Sequence, residues 1–115
     1  MSRTEPTKVP AKGFYRHYKH DPNGSFGNFT YELVALGYHT EEDGVHFIVY
    51  RPLYKEAQVY QASQRFGLLC ADVRPLSMWM ETVEKDGKVM PRFELITDEV
   101  EIAKLEGLRD QMYSS

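Results

Sequence analysis

The residues whose types and spacing could do chemistry are arginines interleaved with aromatics. They are Tyr15, Arg16, His17, Tyr18 and Lys19 in one run, Tyr50 and Arg51 with Tyr54 behind them, then Arg74, Trp79 and Arg92. A guanidinium can hold a carboxylate or phosphate with two parallel hydrogen bonds. An aromatic face can stack a base, or seat a proline-rich or cationic peptide group. The same pattern also suits a folded interior. Alternate residues of a curved strand must face inward, and an arginine beside proline often pairs with a nearby acid such as Asp72 or Glu81. The eleven residues named here are therefore ligand-binding candidates, with core packing and salt bridges as the competing role for each.

Catalysis has less support. Cys70 lies in the apolar run Leu68-Leu69-Cys70-Ala71, where a buried, inert thiol is expected. No serine has a nucleophile-elbow context. The acids Glu41-Glu42-Asp43 read as a solvated loop. Gly24 and Gly27 precede no suitable helix, so no phosphate loop is expected. His17 and His20 flank Tyr18-Lys19 without acids or cysteines at ligand spacing, so neither a metal nor a cofactor is expected. An acid or base role for His17 or His39 near Arg74 is the alternative that keeps an enzyme in view.

Composition limits the partners. The chain has 115 residues, 42% hydrophobic and 27% charged, which suits one globular domain. A net charge of −3 gives no general drive toward nucleic acid. The charge is uneven, however: residues 1–20 carry five Lys/Arg and one Glu, so a local basic patch near the first strand is possible. One cysteine excludes an internal disulfide. No apolar run approaches a membrane span, and no apolar leader is seen, so a cytoplasmic protein with no membrane partner is expected. A small molecule, peptide or protein remains as the ligand, and the oligomeric state is open.

The elements that must position these residues are mostly strands. Residues 1–12 are polar, contain Pro6 and Pro10, and read as a mobile tail. In the strand that follows, Phe14, Arg16 and Tyr18 share one face and Tyr15, His17 and Lys19 the other. Asp21-Pro22-Asn23-Gly24 is a turn. Phe29–Tyr38 and Val45–Arg51 are the next strands, an antiparallel hairpin with Gly37 as a candidate bulge. Residues 55–66 fit either a short helix ended by Gly67 or an edge strand. Leu68–Arg74 is the fourth strand, and Pro75 starts a turn carrying Met78 and Trp79. Glu81–Lys85 and Lys88–Leu95 form a hairpin closed by Asp86-Gly87. From Asp98, a capping residue, Ile102, Leu105, Leu108 and Met112 make a narrow helical stripe. Short strands, tight turns and one terminal helix indicate a mainly β fold: a small SH3-like antiparallel barrel over 13–97 and a C-terminal α-helix over 98–115.

Ordered motifs then carry a resemblance. Gly13-Phe14-Tyr15-Arg16-His17-Tyr18-Lys19, Tyr31-Glu32-Leu33 with Leu36-Gly37, His39-Thr40-Glu41, Val49-Tyr50-Arg51 with Leu53-Tyr54, Val73-Arg74-Pro75-Leu76 with Met78-Trp79-Met80-Glu81, and Asp86-Gly87-Lys88 with Pro91-Arg92-Phe93 follow in this order. The chain, from about Gly13 to Ile96, resembles a family of small bacterial proteins known only as domain of unknown function 1653. The resemblance implies an SH3-type barrel and no activity. Two connections, Asp21–Thr30 and Lys55–Gly67, are longer than is usual there, and Trp79 stands where phenylalanine is more typical. The expected function is an uncharacterised binding module for an anionic or planar ligand, such as an acidic peptide, a nucleotide-like molecule or single-stranded nucleic acid. The alternatives are a small-molecule enzyme with a His/Arg site and a structural subunit that docks through the terminal helix.

Overall fold

The structure is a computed structural model that describes residues 2–114. The strands are β1 (Phe14–His17), β2 (Thr30–Tyr38), β3 (His46–Pro52), β4 (Asp72–Pro75), β5 (Thr82–Lys85), β6 (Lys88–Pro91) and β7 (Phe93–Leu95). The helices are α1 (Gln58–Phe66), α2 (Leu76–Trp79) and α3 (Glu99–Tyr113). The fold is mainly β and antiparallel, with a C-terminal helix. A five-stranded sheet has the order β4-β3-β2-β1-β7, and β5 and β6 form a separate hairpin. No ladder joins β4 to β7, so the sheet is open where a closed barrel was expected.

Both sheet faces are covered, so β1 and the first half of β2 are buried or half-buried on both sides. On one face Phe14, Leu53 and Ile96 pack under Leu105 of α3, with Ile102, Leu108 and Tyr113 around them. On the other face Tyr15, Tyr31, Ile48, Tyr50 and Phe93 form an aromatic core with Trp79 of α2. Helix α3 starts as its sequence indicates: the Asp98 side chain accepts a hydrogen bond from the Glu101 N–H at 2.8 Å. Its stripe is turned onto its own sheet, with Leu105 and Met112 buried.

Several boundaries differ from expectation, each for a local reason. Residues 58–66 are helical and end at Gly67, which takes the left-handed conformation (φ 64°, ψ 24°). The fourth strand begins at Asp72 rather than Leu68. Ser63 Oγ accepts from the Cys70 N–H at 2.7 Å and donates to carbonyl oxygen, so this stretch is tied to α1 instead of to β3. Cys70 is accordingly half-buried, and Leu68 and Leu69 are exposed. The bulge in the β2–β3 ladder lies between Leu33 and Ala35, not at Gly37. The hairpin turn has positive φ at both Asp86 and Gly87, as the Asp-Gly pair requires. Its second arm is not continuous, since β6 pairs with β5 and β7 with β1. Among the described residues no helix is long and apolar enough to cross a membrane.

Candidate functional site

Residues paired across a ladder point to the same face. Tyr15 pairs with Tyr31, His17 with Phe93, Tyr50 with Asp72 and Ile48 with Arg74. The inner face therefore carries His17, Phe93 and Tyr15 toward one sheet edge, and Asp72 and Arg74 on the other. The sheet curls until these edges meet. Phe93 of β7 stacks on Trp79 (centroids 3.8 Å, planes 6° apart) and lies 5.4 Å from the Tyr50 ring. The Arg74 guanidinium of β4 sits 5.4 Å from the centre of the same Phe93 ring. Side chains, without backbone pairing, thus close a seam between β4 and β7.

Cations collect at this seam. Arg74 donates from Nε to the Tyr50 hydroxyl at 3.2 Å. Arg92 immediately precedes Phe93, and its Nε is buried without a hydrogen-bond partner. Lys19 lies in the turn after β1. Among the described residues none of these three makes an ion pair. The arginines of the opposite face are neutralised: Arg16 by Glu101, Arg51 by Glu32, and Arg109 by Glu32 and Asp110.

His17 is the centre of the cluster and only 8% exposed. Its Nδ1 accepts from the Lys19 N–H at 3.2 Å, which assigns the proton of the neutral ring to Nε2. Burial lowers its pKa to about 4, helped by the charges of Arg74, Lys19 and Arg92. Asp72 is shifted the other way: burial raises its pKa, and Arg74 offsets this in part. The Tyr31 and Tyr54 hydroxyls share a hydrogen bond of 2.9 Å. Burial, then the bond to Tyr54, pushes the Tyr31 phenol upward. Burial also raises Tyr50, although the hydrogen bond from Arg74 opposes it.

One rim of the cluster is aromatic. The Phe29 ring lies 6.1 Å from His17 and 5.8 Å from Tyr54, and Tyr18 lies 4.5 Å from His17. Phe29 has φ +46°, in the left-handed region. For a bulky residue this costs about 1–3 kcal/mol and calls for enforcement by its surroundings. The loop supplies it. Asn28 donates to the Asp21 and Ser25 carbonyls and accepts from the Asp21 N–H, and the Phe29 carbonyl accepts from the His17 N–H at 2.9 Å. Gly27 passes so close to the Leu53 carbonyl that a Cβ would stand 2.3 Å from its oxygen.

The candidate residues fall into three groups. His17, Lys19, Arg74 and Arg92 converge on the seam, with Tyr18 and Tyr54 at its rim. Tyr15, Tyr50 and Trp79 are core, with their rings packed against neighbours. Arg16 and Arg51 face α3 on the other side of the sheet, where Arg51 also lies 4.2 Å from the Tyr113 ring centre. Sequence reasoning left out Phe29 and Tyr31, and treated Asp72 only as a salt-bridge partner. A β-strand pattern signals Tyr31, but nothing local signals the conformation of Phe29.

The other histidines are structural. His39 Nδ1 accepts from the Glu41 and Glu42 N–H groups, His46 Nε2 meets the Thr4 carbonyl, and His20 Nδ1 meets the Asn28 carbonyl. His39 is therefore remote from the arginine cluster, in the β2–β3 loop. Among the described residues no three His, Cys, Asp or Glu side chains gather at metal-binding distance. A groove of about 660 Å³ lies elsewhere, between residues 5–8, the start of β3 and α2. It brings together none of the seam cations.

A family model described as "Protein of unknown function (DUF1653)" matches residues 13–95. The crystal structure of a protein of that family from Bordetella bronchiseptica is similar, with 30% sequence identity and a TM-score of 0.52 over 77% of this chain and 94% of that one. No curated protein matches the chain significantly.

Proposed function

The chain belongs to the DUF1653 family of proteins of unknown function, and from that premise we propose that it is a small binding module holding an anionic group at the seam between β4 and β7. One observation carries this reading: Arg74, Arg92 and Lys19 lie close to a neutral His17 without an ion pair among the described residues, and Arg92 Nε, like Arg16 Nε on the other face, is buried unpartnered. A buried donor left unsatisfied costs about 1–3 kcal/mol. An oxyanion at the seam would remove that cost.

The wider expectations narrow accordingly. Single-stranded nucleic acid needs several open aromatic faces, yet Tyr15, Tyr50 and Trp79 are spent on the core. An acidic peptide side chain or a small anion needs only the cation cluster. An enzymatic role for His17 has weaker support, because a base with pKa about 4 is poorly matched to chemistry near neutrality. Docking of a partner on the α3 stripe competes with the chain's own sheet, which already covers it. The SH3-like barrel remains an analogy, in which the ligand seam occupies the place where a barrel would close. A cytoplasmic, bacterial setting belongs to this reading and rests on the family resemblance and the single cysteine.

Titration of ¹⁵N-labelled protein with inorganic phosphate tests the proposal. Shift changes should concentrate in β1, β4 and β7. Arg74→Ala and Arg92→Ala should each weaken binding by about tenfold to a hundredfold, the usual loss for a hydrogen bond to a charged group, with the fold retained. No change at the seam at millimolar phosphate, or equal binding by both variants, would overturn it.

A further inference from the structure

We infer that the ligand is an aryl phosphate, a phosphate monoester carried on an aromatic ring. The inference rests on the seam being an anion site and adds what the rest of the ligand must be. Charge comes first. Lys19, Arg74 and Arg92 supply three positive charges without an ion pair among the described residues, and Asp72, the acid close to Arg74, has a raised pKa from burial. A phosphate monoester carries close to two negative charges near neutrality, and so matches this excess better than a single carboxylate does.

Shape comes second. The cationic side of the site is marked by Arg74 over the Phe93 ring, whose centre lies 5.0 Å from that of His17. The apolar side is marked by Phe29, whose ring centre lies 6.1 Å from that of His17, and by Tyr54 beside it. Both sides thus border the same imidazole. A ligand that uses both must carry its charge close to its ring, as an aryl ester does.

Conformation comes third. Phe29 is 37% exposed and yet held with φ +46° by the Asn28 clamp. Glycine would relax that backbone, so the ring is kept against a conformational preference. Its position on the rim, with open surface, gives it a role as the residue that selects for an aromatic group.

The probes are inorganic phosphate, phenyl phosphate and a capped phosphotyrosyl tripeptide, each titrated into the full chain by NMR or calorimetry. Phenyl phosphate should bind about tenfold tighter than inorganic phosphate, as expected for partial burial of one ring. Phe29→Gly should abolish the preference for phenyl phosphate over inorganic phosphate. Tyr54→Ala gives the same readout on the same wall if the glycine variant fails to fold. A tripeptide that binds tighter than phenyl phosphate identifies a peptide side chain as the source, and a weaker one identifies a free aryl phosphate. Equal binding of phenyl and inorganic phosphate at the seam overturns the aryl assignment while the anion site stands. Binding of neither removes both.

Discussion

At the scale of single residues, His17 links the seam to pH. Its pKa is about 4 in the folded chain, against an ordinary 6.5. As pH falls through 6.5 the unfolded chain takes up a proton that the folded chain refuses until pH 4. Stability should therefore fall between about pH 6.5 and 4, by an amount on the order of 2–3 kcal/mol, and this contribution levels off below. The groups facing His17 are Tyr18, Lys19, Phe29, Tyr31, Arg74, Arg92 and Phe93, of which the cations act in this direction. Asp72 acts oppositely: its raised pKa withdraws stability as pH rises above the ordinary 3.8. Asp43 has a lowered pKa from its hydrogen bonds with Thr4, so its loss comes at more acidic pH, below 3.8. Urea midpoints across this range should show the slope in the parent and lose most of it in His17→Gln. A flat parent profile would contradict the account. The alternation of β1 made it legible that His17 shares a face with Tyr15. That Arg74 and Arg92 would reach the same ring from two different strands was not legible, because it depends on how far the sheet curls.

At the scale of elements, the two longer helices have opposite roles. Helix α3 was readable from its cap and stripe, and the structure uses both on the chain's own core. Leu105 is 1% exposed, against Phe14, Leu53 and Ile96. Leu105→Ala should cost about 2–5 kcal/mol, the range for a buried leucine truncated to alanine. Helix α1 was ambiguous because Val59, Ala62 and Phe66 match helical spacing while Gln58-Val59-Tyr60 equally fits an edge strand; it is helical, and Phe66 is 67% exposed. Phe66→Ser should change stability by no more than about 0.5 kcal/mol. Denaturation midpoints compare the two directly, and similar losses would show that α1 is packed as α3 is. The late start of β4 has the same origin. Ser63 captures the backbone of Cys70 through a side-chain hydrogen bond, which an apolar run in the sequence cannot announce. The loop before β2 was readable as a turn from Asp-Pro-Asn-Gly. The strained placement of Phe29 follows from the Asn28 clamp seven residues beyond Asp21, a relation visible only once the loop is closed.

At the scale of the whole molecule, the seam is the point where the architecture is least secured by backbone. The β1, β2 and β3 strands are paired on both sides, whereas β4 and β7 are each hydrogen-bonded on one side only. Trp79 spans the difference. It is 3% exposed, stacks on Phe93 of β7, and packs edge-on to Tyr50 of β3 and Tyr15 of β1. Its sequence position beside Arg74-Pro75 made it a candidate for ligand contact, but a short helix after Pro75 turns the indole inward. Trp79→Ala should cost about 3–5 kcal/mol, typical for a buried aromatic. That is a large share of the roughly 5–15 kcal/mol available to a domain. The loss should not be spread evenly. With the indole gone, the contacts that draw the two edges together weaken first, while the central ladders keep their bonds. Native-state hydrogen exchange should then show amides of β4 and β7 opening at lower free energy than those of β2 and β3. If all four strands instead open together, the seam is as secure as the rest of the sheet, and Trp79 acts as an ordinary core residue with no special part in holding the sheet edges together.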